Sequence, residues 1–311
     1  MSDFAMIFPG QGSQYIGMLS DLAKEFKMVK ETFTNSSDIL GYDLWNLIQN
    51  GPIKELNKTW KTQPAVLSAS VAIFQVWREN GGKIPKLMAG HSLGEYSALV
   101  CANVIDFKSA IKLVELRGQL MQESVKDKIG TMYAIIGLNN ELVLASCKQA
   151  AQGQIVSAVN FNSPEQIVIA GEKDAVERAV ILCKAFGAKR TLPLAINVPS
   201  HCALMYQASK KLAQALKKIV FNKPNISVVN NVDVKIENSI DRIRYALVRQ
   251  LYNPVRWVEI IKFIVEKEGI SKLLEIGPGK VLTGLSKQII STINSAAIND
   301  RKSLIAALVN N

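Results

Sequence analysis

The sequence predicts an α/β protein built on a mostly parallel sheet, and three observations lead there. Short apolar, strand-like runs alternate with amphipathic helical stretches along the chain; several of those runs open directly into glycine-marked loops; and from about Asp127 to Asn197 a second, smaller pattern interrupts the first.

In chain order, "FAMIF" (Phe4 to Phe8) is a short buried-strand pattern that stops at Pro9-Gly10. "KTQPAVLSAS" places Gln63 just before a helix expected to start at Pro64. "KLMAG" after Pro85 repeats the first strand's logic, and "EYSALVCANVI" follows it as a helix. "DFKSAIKLVELRGQLMQ" begins at Asp106, an N-cap residue, and carries Phe107, Ala110, Ile111, Val114 and Met121 at helical spacing. In the interrupting stretch, "TMYAIIGL" reads as a strand, "NELVLASCKQAA" as a helix, "IVSAVNF" and "QIVIAG" as strands, "KDAVERAVILCKAF" as a helix and "AKRTLPLAI" as a strand. That β-α-β-β-α-β order is the ferredoxin-like unit, expected here as an insertion spanning 127–197 within a larger part made of 1–126 and 198–311. "KLLEIGPG" (Lys272 to Gly279) returns to a strand entering a glycine turn.

Composition narrows the chemistry. With 311 residues and 48% hydrophobic content the chain can bury a full core. It has no apolar run of membrane-spanning length, and "MSDFAMIFPG" lacks the basic start of a signal peptide, so the chain reads as cytoplasmic with no membrane role. Cys101, Cys147, Cys183 and Cys202 are scattered without a CxxC pair, which suits buried thiols rather than disulfides or zinc. A net charge of +11 favours an acidic partner or substrate, but the dense basic tracts of a nucleic-acid binder are missing.

The sharpest local signal is Gly90-His91-Ser92-Leu93-Gly94, a G-x-S-x-G turn with a strand before it and a helix after. Small flanking residues permit a tight turn that pushes the Ser92 hydroxyl outward, and the Leu93 backbone N–H beside it can stabilise an oxyanion. Glu95, in the first turn of the helix, is placed well for the helix dipole. A serine nucleophile needs a base, and the chain has only 2 histidines. His91 neighbours Ser92 on the sharp turn, so its side chain should leave in another direction and pack under the elbow. His201, in "NVPSHCALM" where the chain re-enters the larger part, is then the candidate base. No acid stands out to orient it, which leaves a backbone carbonyl for that task. Arg117 falls within the apolar stripe of its helix, and a buried guanidinium needs an anion. A structural ion pair and a clamp for a substrate carboxylate are equally open.

Two other loops invite ligand readings. In "FPGQGSQ" the Gln11 amide, between glycines, can reach a ligand, but Tyr15 stands where a dinucleotide fingerprint needs its third glycine. "GPGKVLTG" lacks the first glycine of a phosphate loop, and no HExxH-type metal motif occurs.

Taken together, "FPGQGSQYIGM", "TQPAVLSASVA", "AGHSLGEYSALV", "LRGQLMQ", "NVPSHCALM", "RQLYNPVRWVE" and "EIGPGKVLTGL" resemble, in this order, the malonyl-CoA:acyl-carrier-protein transacylases of type II fatty-acid synthesis. The resemblance spans nearly the whole chain; Tyr133 departs from it, at a place that usually holds a small residue. It implies an α/β-hydrolase-like large subdomain with a mostly parallel sheet plus an inserted ferredoxin-like small subdomain. It implies that Ser92 takes malonyl as an ester, with His201 as base and then acid, and that Gln11 and the Leu93 N–H form the oxyanion hole. Arg117 would bind the malonyl carboxylate, Gln63 would line the pocket and the Gln250 backbone carbonyl would orient the histidine. No cofactor would be bound permanently, coenzyme A entering as a thioester substrate. The expected partners are malonyl-CoA and an acidic acyl carrier protein, docked through Lys189, Arg190 or Lys287, with the enzyme a monomer. A free-standing polyketide acyltransferase or a thioester-cleaving serine hydrolase are the alternatives.

Overall fold

The computed structural model describes residues 3–125, 130–195 and 198–310. The expected boundaries at 126/127 and 197 fall outside the described residues, as does Ile196, the last residue of the strand expected over "AKRTLPLAI".

Among the described residues, nine strands form two sheets. The larger is parallel throughout, in the order β7 (Ser227–Val229), β2 (Leu87–Gly90), β1 (Phe4–Phe8), β8 (Lys272–Ile276) and β9 (Asn294–Ile298). β1 lies at its centre, with Ala5 opposite Leu87 on one side and Leu273 on the other. Every residue of β1 is buried because both faces of the sheet are covered: Phe4, Met6 and Phe8 point into one core, Ala5 and Ile7 into a second. This is why the strand reads as a continuous apolar run rather than an alternating one.

The second sheet is antiparallel, in the order β4 (Val156–Ser163), β5 (Gln166–Glu172), β3 (Gly130–Ile136) and β6 (Arg190–Pro193), with the helices Asn140–Ala151 and Lys173–Ala185 between its strands in the chain. It has a core of its own around Ile135, Val143, Ile167, Ile169, Val176 and Cys183, against which Tyr133 packs. β6 is shorter than the nine-residue strand expected for "AKRTLPLAI"; it is an edge strand and ends at Pro193, a residue that edges tolerate.

The first long helix also differs from expectation. It runs from Thr59 to Glu79, so Gln63 lies inside it and Pro64 is an internal residue, not its start. Pro64 follows closely enough on the N-terminus that only one early backbone bond is given up. All four cysteines are free and buried, and no described helix is long and apolar enough to cross a membrane.

Candidate active site

β1, β2 and β8 end together at the carboxyl edge of the parallel sheet, the side where open α/β sheets place ligands. At the end of β2 the chain turns through His91 and Ser92 into the helix Leu93–Cys101. Ser92 sits at φ 53°, ψ −108°, a conformation that L-residues rarely adopt and that the surroundings must hold in place. Gly90 and Gly94 make the turn possible: a Cβ on Gly90 would lie 1.9 Å from the Gly94 carbonyl carbon, and one on Gly94 would lie 2.0 Å from the Phe8 carbonyl oxygen. Leu93 opens the helix, so its N–H has no place in the helical ladder and faces the turn.

His201 comes to this turn from a loop more than a hundred residues away, also at positive φ (65°), with its N–H donating to the Leu251 carbonyl at 2.9 Å. Its Nε2 is 2.7 Å from Ser92 Oγ, and its Nδ1 is 2.7 Å from the Gln250 carbonyl oxygen. The carbonyl can only accept, so it selects the tautomer with the proton on Nδ1 and leaves Nε2 free to accept from the hydroxyl. Burial, and after it the nearby Arg117 charge, pull the His201 imidazolium down to about 3, so the ring is neutral at physiological pH.

Arg117 lies on the helix Phe107–Glu123 and is 1% exposed. One terminal nitrogen, Nη1, donates to Gln63 Oε1 at 2.8 Å; the other, Nη2, donates to Gln250 Oε1 at 3.0 Å and to Ser92 Oγ at 3.3 Å. Its Nε has no hydrogen-bond partner among the described residues, and none of them forms a salt bridge with it. The structural ion pair considered above is therefore not made among the described residues: a buried cation stands 3.3 Å from the candidate nucleophile, bonded to the amide oxygens of Gln63 and Gln250 and lying 5.3 Å from the centre of the Tyr96 ring. Gln63 is fully buried, its amide nitrogen on the Met121 sulfur at 3.6 Å. Gln11 is half-buried on the loop after β1 and donates to Thr59 Oγ1 at 3.3 Å.

His91 corrects an expectation. It leaves the turn in a different direction from Ser92, but it does not pack beneath the elbow. Its Nε2 pairs with Asn162 Oδ1 at 2.8 Å on β4, and its ring lies 5.5 Å from the Trp257 ring. It thus spans from the parallel to the antiparallel sheet and lines a cleft of about 320 Å³ between them, together with Gln11, Asn162 and Gln166 and an apolar wall that includes Met132 and Leu282. Glu95 is a second correction: its carboxylate is buried and turned to Asn231 and Gln250 rather than toward the helix end.

One residue of this site, Asn231, has no place in the sequence reading, and two others, Gln250 and Glu95, act through side-chain bonds that reading did not give them. Asn231 accepts from the Ser92 N–H at 2.7 Å and donates to the Gly90 carbonyl at 2.6 Å, clamping the elbow from the end of β7. The side chain of Gln250 donates to the Ser92 carbonyl at 3.1 Å, and Glu95 lies behind both. "VVNNVD" at the carboxyl end of a buried strand was the available signal for Asn231.

A half-buried serine paired with a base on such an elbow, with a cation beside it, defines an acyl-transferring site, and the family model described as acyl transferase domain matches residues 5–306. The malonyl CoA-acyl carrier protein transacylase of Escherichia coli is 59% identical over 308 residues, covering 99% of both chains, and that of Haemophilus influenzae 62% over 301 residues, covering 96% of both. Among solved structures, an acyl carrier protein S-malonyltransferase from Vibrio cholerae is 60% identical with a TM-score of 0.95, covering 98% of this chain and 99% of that one. A malonyl-transacylase in complex with its holo type II PKS acyl-carrier protein is 67% identical with a TM-score of 0.98 over 100% of both chains. The chain belongs to the malonyl CoA-acyl carrier protein transacylase family.

Proposed function

We propose that this enzyme moves malonyl from coenzyme A to the phosphopantetheine thiol of acyl carrier protein in two steps through an ester on Ser92. The observation that carries the reading is the placing of Arg117 Nη2 and His201 Nε2 on the same hydroxyl oxygen, at 3.3 and 2.7 Å. In a malonyl thioester the carboxylate is one methylene from the reacting carbonyl, so its anion holder must lie within a few ångströms of the nucleophile. Arg117 does, and its unpaired Nε offers a further donor.

In the first step Ser92 Oγ attacks the thioester carbonyl as its proton passes to His201 Nε2. The oxyanion forms against the Leu93 N–H and Gln11, and collapses as the carbon–sulfur bond breaks and His201 returns the proton to the coenzyme A sulfur. In the second step the carrier thiol attacks the ester, giving its proton to His201, and Ser92 leaves with that proton. The Gln250 carbonyl keeps the imidazole in one tautomer through both steps, and Gln63 holds Arg117. The bound carboxylate offsets the Arg117 charge, which otherwise opposes protonation of His201. The cleft between the sheets takes the pantetheine arm of either thiol in turn. The same proposal includes the division into a catalytic part, 1–126 with 198–311, and an inserted part, 127–197, supported by the separate core of the small sheet. It also includes a monomeric enzyme in the cytoplasm. Arg190 and Lys287 are exposed on elements whose apolar residues line the cleft, and Lys189 is exposed just before the first of them, which supports an acidic carrier docking there.

A second reading is that this chain charges a polyketide carrier by the same chemistry, which is supported by the solved complex of a relative 67% identical with a type II PKS carrier. Incubation with labelled malonyl-CoA and each holo-carrier tests both. Label on a carrier supports transfer and shows which carrier is served; free malonate in its place would make the enzyme a hydrolase.

A further inference from the structure

Beneath the elbow lies a carboxylate that no cation among the described residues touches. Glu95 is 2% exposed, and its Oε2 accepts from the Asn231 N–H at 3.0 Å and from Gln250 Nε2 at 2.7 Å. From there its hold reaches the reacting groups by two routes. Asn231 carries it to the Ser92 N–H and the Gly90 carbonyl, at the two ends of the turn. Gln250 carries it to Arg117.

The second route depends on which way the Gln250 amide faces. Its nitrogen has two acceptors, Glu95 Oε2 and the Ser92 carbonyl, so its oxygen is turned to accept from Arg117 Nη2 at 3.0 Å. A primary amide keeps nearly the same shape when turned over, so packing alone does not choose its orientation. The two acceptors do, and of them Glu95 Oε2 makes the shorter bond, 2.7 Å against 3.1 Å for the Ser92 carbonyl. Turned over, the amide would aim an NH₂ group at a guanidinium and an oxygen at a carboxylate, leaving buried donors and acceptors unpaired on both sides. Burial raises the Glu95 carboxyl to about 7, but a proton on Oε1 leaves Oε2 still accepting, so the hold persists in either charge state.

We propose that Glu95 is a positioning residue for acyl selection: by fixing the orientation of the Gln250 amide it keeps Arg117 in the pose that receives the acyl carboxylate. This rests on the role given to Arg117 above.

The test is the ratio of malonyl to acetyl loading on Ser92 in wild type, Arg117→Ala, Glu95→Leu, Glu95→Gln, Gln250→Met and the Glu95→Leu/Gln250→Met pair, each checked for folding. Glu95→Leu, which removes the acceptor at similar volume, should lower the ratio about tenfold, the worth of one buried charge-assisted hydrogen bond. Glu95→Gln, which keeps a carbonyl acceptor, should recover most of it. Gln250→Met should lower the ratio as Glu95→Leu does, and the pair should lower it no further. If loading of both acyl groups falls in parallel in Glu95→Leu, leaving the ratio unchanged, Glu95 is structural only and the proposal fails. An unchanged ratio in Arg117→Ala overturns the Arg117 role and this proposal together; a shift there but none in Glu95→Leu overturns this proposal alone. Should Glu95→Leu not fold, Gln250→Met decides, since an unchanged ratio there means the amide has no hold on Arg117.

Discussion

The two histidines form a natural experiment. His91 is the chain neighbour of Ser92, and His201 is separated from it by 109 residues, yet it is His201 that meets the hydroxyl. Their surroundings differ as much as their positions. His201 is 2% exposed, held between a hydroxyl and a backbone carbonyl, and faces the Arg117 charge. His91 is half-buried, bonded to a side-chain amide and set against an indole where the two sheets meet. Burial is the leading reason each resists protonation, but only His201 has Arg117 as its second reason. On a tight elbow, adjacency in the chain sends neighbouring side chains apart, and the partner must come from another element.

Exchanging each ring for a methyl group sharpens the contrast most. His201→Ala should lose about 10² to 10⁴ in the rate of Ser92 acylation, the usual worth of a positioned base, while His91→Ala should lose far less. Single-turnover loading measures both, and a larger loss for His91→Ala in a folded protein would reverse the roles.

Arg117→Ala should come next. A malonyl carboxylate buried without its cation costs roughly 3 to 5 kcal/mol, so malonyl loading should fall by about 10² to 10³ or more while acetyl loading holds or rises. The same variant separates the histidines by pH. In wild type His201 is neutral down to about 3, so acylation should lose nothing to its protonation between pH 8 and 5. Without the Arg117 charge its imidazolium should rise, burial still holding it below the ordinary 6.5, and shift the acidic limb of acetyl loading to higher pH than in wild type, with the His91 resonance unmoved. With two histidines in the chain, proton NMR resolves both. The sign for stability follows from the same shift. The unfolded chain takes up a proton at His201 near 6.5 and the folded chain does not, so this residue makes the fold less stable as pH falls from about 6.5 to about 3.

A smaller effect is expected on the other side of the comparison. Asn162→Ala removes the partner of His91 and should cost about 1 kcal/mol of stability, read from the denaturant midpoint, with a far smaller loss of acylation at saturating malonyl-CoA than His201→Ala. The smallest concerns the surface. Transfer to the carrier should weaken with added salt more than acylation by malonyl-CoA does, since the charges that dock a carrier are screened over roughly 8 Å at physiological ionic strength. Equal salt responses of the two half-reactions would remove electrostatic docking.

These differences also set how much of the molecule its sequence disclosed. Elements whose residues face one core or two are periodic or continuously apolar, so β1, the helix Phe107–Glu123 and the β-α-β-β-α-β unit were legible, and Arg117 stood out as a charge within an apolar stripe. Ser92 was legible because its turn demands glycines on both sides. His201 emerged by elimination, which works only in a chain so poor in histidine. The amides and the acid behind them were not legible from the residues. Asn231, Gln250 and Glu95 act across 136 to 158 residues of chain through single hydrogen bonds, and such bonds leave no period in a sequence. Gln250 was named only through the family resemblance, for its backbone carbonyl; its side chain, which touches Ser92, Arg117 and Glu95, had no signal of its own. The start of the helix Thr59–Glu79 was misplaced because Pro64 is a common helix opener and here is tolerated one turn later.

The most direct measurement is the mass of the enzyme's own peptides after brief exposure to malonyl-CoA, before and after holo-carrier is added. Malonyl should appear on the peptide bearing Ser92, vanish when the carrier arrives and reappear on the carrier thiol, with none formed on folded Ser92→Ala. An adduct on that variant, on another residue of the wild type, or one that leaves as free malonate in the presence of carrier, would contradict a transfer carried by Ser92.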